Sequence, residues 1–232
     1  MKYFTIIIVF LYQFSFGQNN DIEIKILNDT IKNLSTTEYN SVCYSLTNNS
    51  DHYYYFILDD SGFNSGENNA VDAPYVGLLD YRVFEKDSLM QPLYGNYDSR
   101  ELPNFRTLIS KKDSRDFKKK YKYTKRNDLR DINISYWILK NTFLLAPKSS
   151  KKFCAKIIFP HYYAPSDNRT IVYDMKNNGE YYFQIFLQNP EDIVDQYFVI
   201  PDAKYKDAKI FRGIIYSNKV PLLYNVNENA TQ

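Results

Sequence analysis

Short runs that alternate apolar and polar residues with period two, each closed by Asn, Pro or Ser, constrain this chain more than any other feature of its sequence. Ile22-Glu23-Ile24-Lys25-Ile26 alternates strictly and predicts a half-buried first strand. A second strand is predicted from about Tyr39 to Thr47. Asn48-Asn49-Ser50-Asp51 then supplies turn chemistry, and Tyr53 to Leu58 is a solid apolar and aromatic run that reads as a strand buried on both faces. These two segments are expected to form a hairpin. After a polar loop at 59–72, Val76 to Glu85 predicts another strand with Leu79, Tyr81 and Val83 on one side. No amphipathic helical pattern of about ten residues separates such runs, so the expected fold is all-β, an antiparallel sandwich of about seven to nine strands.

Composition points the same way. The chain carries 23 Tyr and 16 Phe against seven Gly, and large rings with one apolar and one wet end suit half-buried strands. The net charge of +2 creates no global field for nucleic acid or an anionic membrane, so a charged partner has to be met locally. The middle of the chain supplies such a place. Pro92, Gly95 and Pro103 break regularity, and residues 106–130 hold eleven Lys or Arg against three Asp. An insertion at about 95–131 into a single domain spanning 18–232 is expected. Order resumes from Ile132 to Leu145, around the lone Trp137.

The first seventeen residues read as a secretory signal. Lys2 is the charged region, Phe4 to Phe14 the apolar one, and Ser15 and Gly17 are the small residues before a cleavage point at Gln18. The apolar run falls short of the roughly 20 residues that span a bilayer, and Gln18 stands where a lipoprotein would carry Cys. The expected product is exported, periplasmic or extracellular, and soluble, with no membrane anchor after cleavage.

An oxidising compartment gives the two cysteines a second meaning. In Val42-Cys43-Tyr44-Ser45-Leu46 the apolar set excludes Cys43, and in Phe153-Cys154-Ala155-Lys156-Ile157 it excludes Cys154, so both thiols face outward on their strands. Were the strands antiparallel neighbours, Cα separations of about 4.5–5.5 Å would permit a bridge. Two unrelated thiols are the alternative.

Asn177-Asn178-Gly179-Glu180-Tyr181-Tyr182-Phe183 resembles the D-x-G-x-Y-x-C motif that opens strand F of immunoglobulin-like domains. Asn177 stands for the Asp, Gly179 and Tyr181 match, and Phe183 replaces the second core cysteine. Gly213 to Val220 is similar to the kinked last strand of bacterial immunoglobulin-like modules. The resemblance covers about half the chain. It implies an immunoglobulin-like sandwich without the inter-sheet disulfide, with Tyr181 over Gly179 as a tyrosine corner, and it implies no particular activity.

Candidate chemistry is sparse. His52 and His161 accompany no G-x-S-x-G elbow, and each reads as a turn or strand-edge residue. Two distant His and two outward Cys offer no zinc spacing. The oxygen-rich loop from Asp59 to Asn69 lacks the carboxylates of an EF-hand, because counting from Asp60 its third position is Gly62 and its twelfth Val71. No cofactor loop is legible, and no enzyme is expected. The densest electrostatic feature is Phe117 to Arg126, where Lys118, Lys119, Lys120, Lys122, Lys125 and Arg126 interleave with rings. It reads either as an anion-binding patch or as a solvated insertion. Placement beside an aromatic concavity favours the first; projection alone into solvent favours the second. The expected function is a non-enzymatic module for protein binding or envelope assembly, with an unspecified envelope or extracellular macromolecule as partner and no nucleic acid. The alternative is a carbohydrate- or anionic-glycan-binding module that uses exposed tyrosines and the basic insertion.

Overall fold

The computed structural model describes residues 21–35, 38–63, 76–96, 109–123, 128–159, 161–164 and 169–226; the expected signal at 1–17 lies outside them. Along the chain run β1 (Ile22–Ile26), β2 (Ile31–Asn33), β3 (Asn40–Asn48), β4 (Tyr54–Ile57), β5 (Asp59–Phe63), β6 (Leu78–Glu85), β7 (Ser88–Leu89) and β8 (Leu93–Asn96). Two helices follow, α1 (Lys111–Tyr121) and α2 (Leu129–Lys140), and then β9 (Thr142–Leu145), β10 (Ser149–Ile157), β11 (His161–Ala164), β12 (Arg169–Val172) and β13 (Tyr181–Asn189). The chain continues through α3 (Glu191–Tyr197), β14 (Lys209–Ile210), β15 (Gly213–Tyr216) and β16 (Val220–Tyr224).

Two sheets pack face to face. One has the order β1-β3-β10, antiparallel throughout. The other runs β2-β16-β13-β6-β5, with β2 parallel to β16 and β5 parallel to β6, while β15 continues along β13 beyond the end of β16. Period-two alternation fills the space between. Ile22, Ile24 and Ile26 point inward with Glu23 and Lys25 in solvent, and they share one core with Leu79, Tyr81, Val83, Phe183, Ile185 and Leu187 of the opposite sheet. The abundant rings are consumed here. Tyr81 meets Phe159 edge-on at 6.1 Å, and Phe63 meets Phe183 edge-on at 6.2 Å, the arrangement that ring quadrupoles favour.

Sixteen strands stand among the described residues where seven to nine were expected. Part of the difference is fragmentation. The first edge is divided between the sheets as β1 and β2, and the last strand is broken at Ser217 to Lys219 into β15 and β16. The rest comes from two small sheets, β14-β4-β9 and β11-β12-β8. The expected hairpin between β3 and β4 does not form. β3 pairs with β1 and β10, whereas β4 pairs with β9 and β14. Asn48 redirects the chain: its Nδ2 donates to the carbonyls of His52, Ala146 and Leu145, and its Oδ1 accepts from the Ser50 N–H and hydroxyl. β4 is buried on both faces as predicted, because Tyr54 and Phe56 face the sandwich core while Ile57 joins a second cluster with the helices.

Three other asparagines act as surrogate peptide groups. Asn33 donates to the Phe159 carbonyl and accepts from the Phe159 N–H, both at 3.2 Å. Asn177 does the same with Val226, at 2.9 and 2.8 Å. Asn218, in the break between β15 and β16, accepts from the Ile26 N–H at 2.8 Å and donates to its carbonyl at 3.5 Å, tying one sheet to the other. A buried or half-buried strand end thereby has both backbone groups satisfied without a neighbouring strand.

The helices overturn the expectation that no helical pattern was present. Ser110 caps α1 by accepting from the Asp113 N–H at 3.0 Å, and Ser114, Phe117 and Tyr121 form a stripe at helical spacing. In α2, capped by Asp128, Ile132 and Leu139 face α1, while Ile134 and Ile138 face β4 and α3. Asn133 Oδ1 accepts from the buried Ile109 N–H at 3.0 Å, and Tyr197 donates to Asp131 at 3.1 Å. The helices thus form a third layer on the outer face of the small sheet β14-β4-β9. Among the described residues no helix is long and apolar enough to cross a membrane.

Candidate functional site

The two cysteines are joined. Cys43 on β3 and Cys154 on β10 sit directly opposite in register and form a disulfide with Cα atoms 4.0 Å apart. Alternation predicts their outward direction, and Cys154 is exposed while Cys43 is half-buried. The Cys43 N–H donates to Asn28 Oδ1 and its carbonyl accepts from Leu27, both on the β1 side. Facing β10 it is therefore in a non-hydrogen-bonded pair, where opposed Cα atoms come closest.

At the start of β13, Tyr181 is 3% exposed and its hydroxyl accepts from the Lys176 N–H at 2.7 Å. The ring lies against Gly179 so closely that a Cβ there would fall 2.4 Å from Tyr181 Cε2. Position 183 holds a fully buried Phe, packed against Tyr81 and Phe159.

The basic segment is the end of α1. Lys118, Lys119 and Lys120 occupy its last turn, where cations complement the helix dipole. Lys122 closes the helix in a left-handed conformation, φ 47°. Lys125 and Arg126 lie outside the described residues. The helix does not project alone: Phe117 packs on Tyr121 and Tyr123, and the Ser135 hydroxyl meets the Tyr123 phenol at 3.0 Å.

Beside that helix end the described surface is concave. One cleft, of about 560 Å³, is lined by Lys206 and residues 208–212, by Phe198 and Ile200, and by Tyr54 and Tyr55 of β4. A second, of about 500 Å³, is lined by Tyr121, Lys122 and Tyr123, by Val194 and Asp195 of α3, and again by Phe198, Ile200 and Arg212. Phe198, Ile200 and Arg212 line both, so the two clefts border each other and together form a groove. Its size is that of an ordinary ligand site. Among the described lining residues of the first cleft, Lys206, Lys209 and Arg212 are the charged ones, with no carboxylate. In the second, Asp195 is engaged by Arg212 at 2.6 Å.

Tyr54 and Tyr55 contribute no negative charge to this rim. Burial raises the pKa of each phenol above its usual value, helped at Tyr54 by the neighbouring Asp21 carboxylate. Tyr55 donates to the Asp202 carbonyl at 3.4 Å, and Lys209 lies 5.7 Å from the centre of the Tyr54 ring. The arrangement can hold an anion above an apolar floor. It presents no paired nucleophile and base, and among the described residues no group of three or more His, Cys, Asp or Glu could hold a metal.

Alternation lets at most half of a run of adjacent tyrosines share one exposed face, and the described ones follow it: Tyr54 and Tyr55 are 7% and 3% exposed and Tyr181 is buried, whereas Tyr53 is open, against Tyr205 at 5.1 Å, and Tyr182 is partly exposed, bonded to Glu180. Side chains of Tyr162 and Tyr163 lie outside the described set, as does that of His161. His52 sits exposed in the turn that Asn48 organises. Asp59 to Phe63 of the oxygen-rich loop is strand β5, with Asp59 accepting from Asn141 at 3.1 Å; its continuation from 64 lies outside the described residues.

Sequence inspection missed Phe198, Ile200, Lys206, Lys209 and Arg212. The signal was present in Lys204-Tyr205-Lys206-Asp207-Ala208-Lys209-Ile210-Phe211-Arg212, four cations against one Asp, but the denser run at 118–126 drew attention from it. Compared with known proteins, the chain matches no protein-family model, and no curated protein matches it.

Proposed function

We propose that this chain is an exported, non-enzymatic immunoglobulin-like module that binds an anionic envelope or extracellular macromolecule in the groove around Arg212. The observation that carries the reading is the sharing of Phe198, Ile200 and Arg212 by the two clefts, which sets a cationic rim beside an apolar floor. Oppositely charged partners are steered to such a rim and held in register by it.

Strand order supports the immunoglobulin-like reading. With β1 and β2 as a divided strand A, β3 as B, β6 as C, β10 as E, β13 as F, and β15 with β16 as G, one sheet reads A-B-E and the other A-G-F-C. Tyr181 then opens strand F, bonded back to Lys176. The departures are the helical layer between C and E and a disulfide that joins B to E within one sheet. Export is supported by the first seventeen residues and by that disulfide, which oxidising compartments preserve.

An anionic-glycan ligand is the second reading, favoured by the position of Lys122 between Tyr121 and Tyr123 on the second cleft. Both readings share one test. The chain from Gln18 is titrated with heparin oligosaccharide and with acidic peptides at low and high salt, alongside Arg212→Glu. Salt-sensitive binding that the reversal weakens about tenfold is expected. Binding indifferent to salt and to Arg212, or none to either probe, refutes the site. N-terminal sequencing of protein recovered from outside the inner membrane should begin at Gln18, and an intact Met1 there would refute the signal.

A further inference from the structure

The groove is bordered by an open sheet edge. β14 is the terminal strand of the sheet β14-β4-β9, paired with β4 and, among the described residues, with no other strand. Its pairing is parallel: the Lys209 N–H donates to the Tyr53 carbonyl, and the Phe211 N–H to the Tyr55 carbonyl, both at 2.9 Å. Backbone groups alternate in direction along a strand, so the N–H and C=O of Ile210 point away from β4. Lys206 and residues 208–212 line the first cleft. The strand that carries the open edge is therefore part of the wall of the concavity.

Natural edges are commonly blunted by short strands and lysines, and β14 has both. What distinguishes this edge is its surroundings. A blunted edge borders bulk solvent, whereas this one borders a cleft of about 560 Å³ whose other lining segment includes Phe198, in extended conformation at φ −67° and ψ 137°, and Ile200, 44% exposed. An extended chain lying there would find hydrogen-bonding groups on one side and apolar surface on the other. Sugars would find less. The rings of the groove are already engaged, Tyr55 with Phe198 at 5.7 Å and Tyr123 with Phe117 at 5.3 Å, and Tyr54, Tyr55 and Tyr123 are each no more than 7% exposed.

Resting on the reading of the groove as an anion-binding site, we propose that its occupant is an extended acidic segment of a partner polypeptide, which adds to the edge of β14 as a further strand. Main-chain bonds to Ile210 supply affinity, and Lys206, Lys209 and Arg212 select Asp or Glu on the incoming strand. Charge complementarity favours the class: the described lining of the first cleft has Lys206, Lys209 and Arg212 and no carboxylate, and since Arg212 is paired with Asp195, Lys206 and Lys209 carry most of the selection.

The test uses short peptides with Asp or Glu at alternate positions and aliphatic residues between, each compared with the same peptide N-methylated at alternate amides. Heparin oligosaccharide is the glycan probe. Expected results are peptide binding, weakening of about tenfold or more by methylation in one of the two phases, and slowed hydrogen exchange at the Ile210 amide in the complex. Peptide binding that depends on Arg212 but is indifferent to methylation, with Ile210 exchange unchanged, overturns strand addition and leaves the anion site standing. Heparin binding without peptide binding has the same meaning and selects the glycan. Binding of neither probe overturns both.

Discussion

Removing the bridge between Cys43 and Cys154 tests the architecture most directly, because its effect can be worked out from the chain it encloses. The two residues are 111 apart in sequence, and the loop between them contains β4 to β9 with α1 and α2. In the loop-closure treatment a cross-link of this span removes about 16 cal/mol/K from the unfolded chain, or about 4.8 kcal/mol at room temperature. Neither side chain is buried, so replacing the sulfurs by hydroxyls in Cys43→Ser/Cys154→Ser removes little packing. For a chain of this length each kcal/mol moves the melting temperature by about 2–4 °C. The double variant should therefore melt about 10–20 °C below the parent. Reductant should bring the parent down to the variant and leave the variant unmoved. A variant that melts within about 3 °C of the oxidised parent would refute the loop-entropy reasoning.

Gly179→Ala places a Cβ inside the Tyr181 ring position; displacing the ring and losing its bond to Lys176 should cost about 2–3 kcal/mol in urea denaturation, whereas Tyr181→Phe should cost about 1 kcal/mol. Equal, negligible losses would mean that the ring is not held there. Tyr44 is fully buried, and its hydroxyl has no hydrogen-bond partner among the described residues; Tyr44→Phe should stabilise the chain by about 1 kcal/mol, and a loss would mean that the hydroxyl is satisfied. Burial, followed by the Asp60 and Asp59 carboxylates, pushes the Tyr44 phenol well above its usual pKa. Because the folded form is the one that holds the proton, this group's contribution is complete below the unfolded value of about 10 and is lost as pH rises beyond it. Alkaline unfolding should thus begin above about pH 10 and shift upward in Tyr44→Phe, a shift that tyrosinate absorbance and circular dichroism would follow together.

The strands that period two predicts are present at Ile22–Ile26, Asn40–Asn48 and Leu78–Glu85, because each sets one alternating face on the large core, although Leu78–Glu85 is covered on its other face as well. The β3–β4 connection was illegible for a physical reason: turn residues announce a change of direction but not whether the chain returns to the same sheet, and here the decision rests with Asn48 and carbonyls about 100 residues away. The α1 stripe of Ser114, Phe117 and Tyr121 is narrow and was masked by cations, although Ser110 and Asp113 carried a start signal. The α2 pattern is blurred because that helix buries two faces. Parity in sequence settles the direction of the cysteines but not the neighbourhood of their strands. The groove was the least legible feature, since β4, α1, α3 and the β14 segment meet only in the folded chain.

The asparagines that mimic peptide groups give the sandwich a means of measuring its own register. A strand held only by an apolar face can be excluded from a one-residue slip by turning its side chains outward, yet a two-residue slip restores the inside–outside pattern. Asn218 reads one backbone position, Ile26, through both its N–H and its carbonyl. A two-residue slip of the strand that carries it would satisfy the hydrophobic pattern and still leave an amide and a peptide group without partners. With Asn33 keyed to Phe159 and Asn177 to Val226, three such keys are distributed over the sheet ends, so polar side chains exclude the misalignments that apolar alternation cannot distinguish.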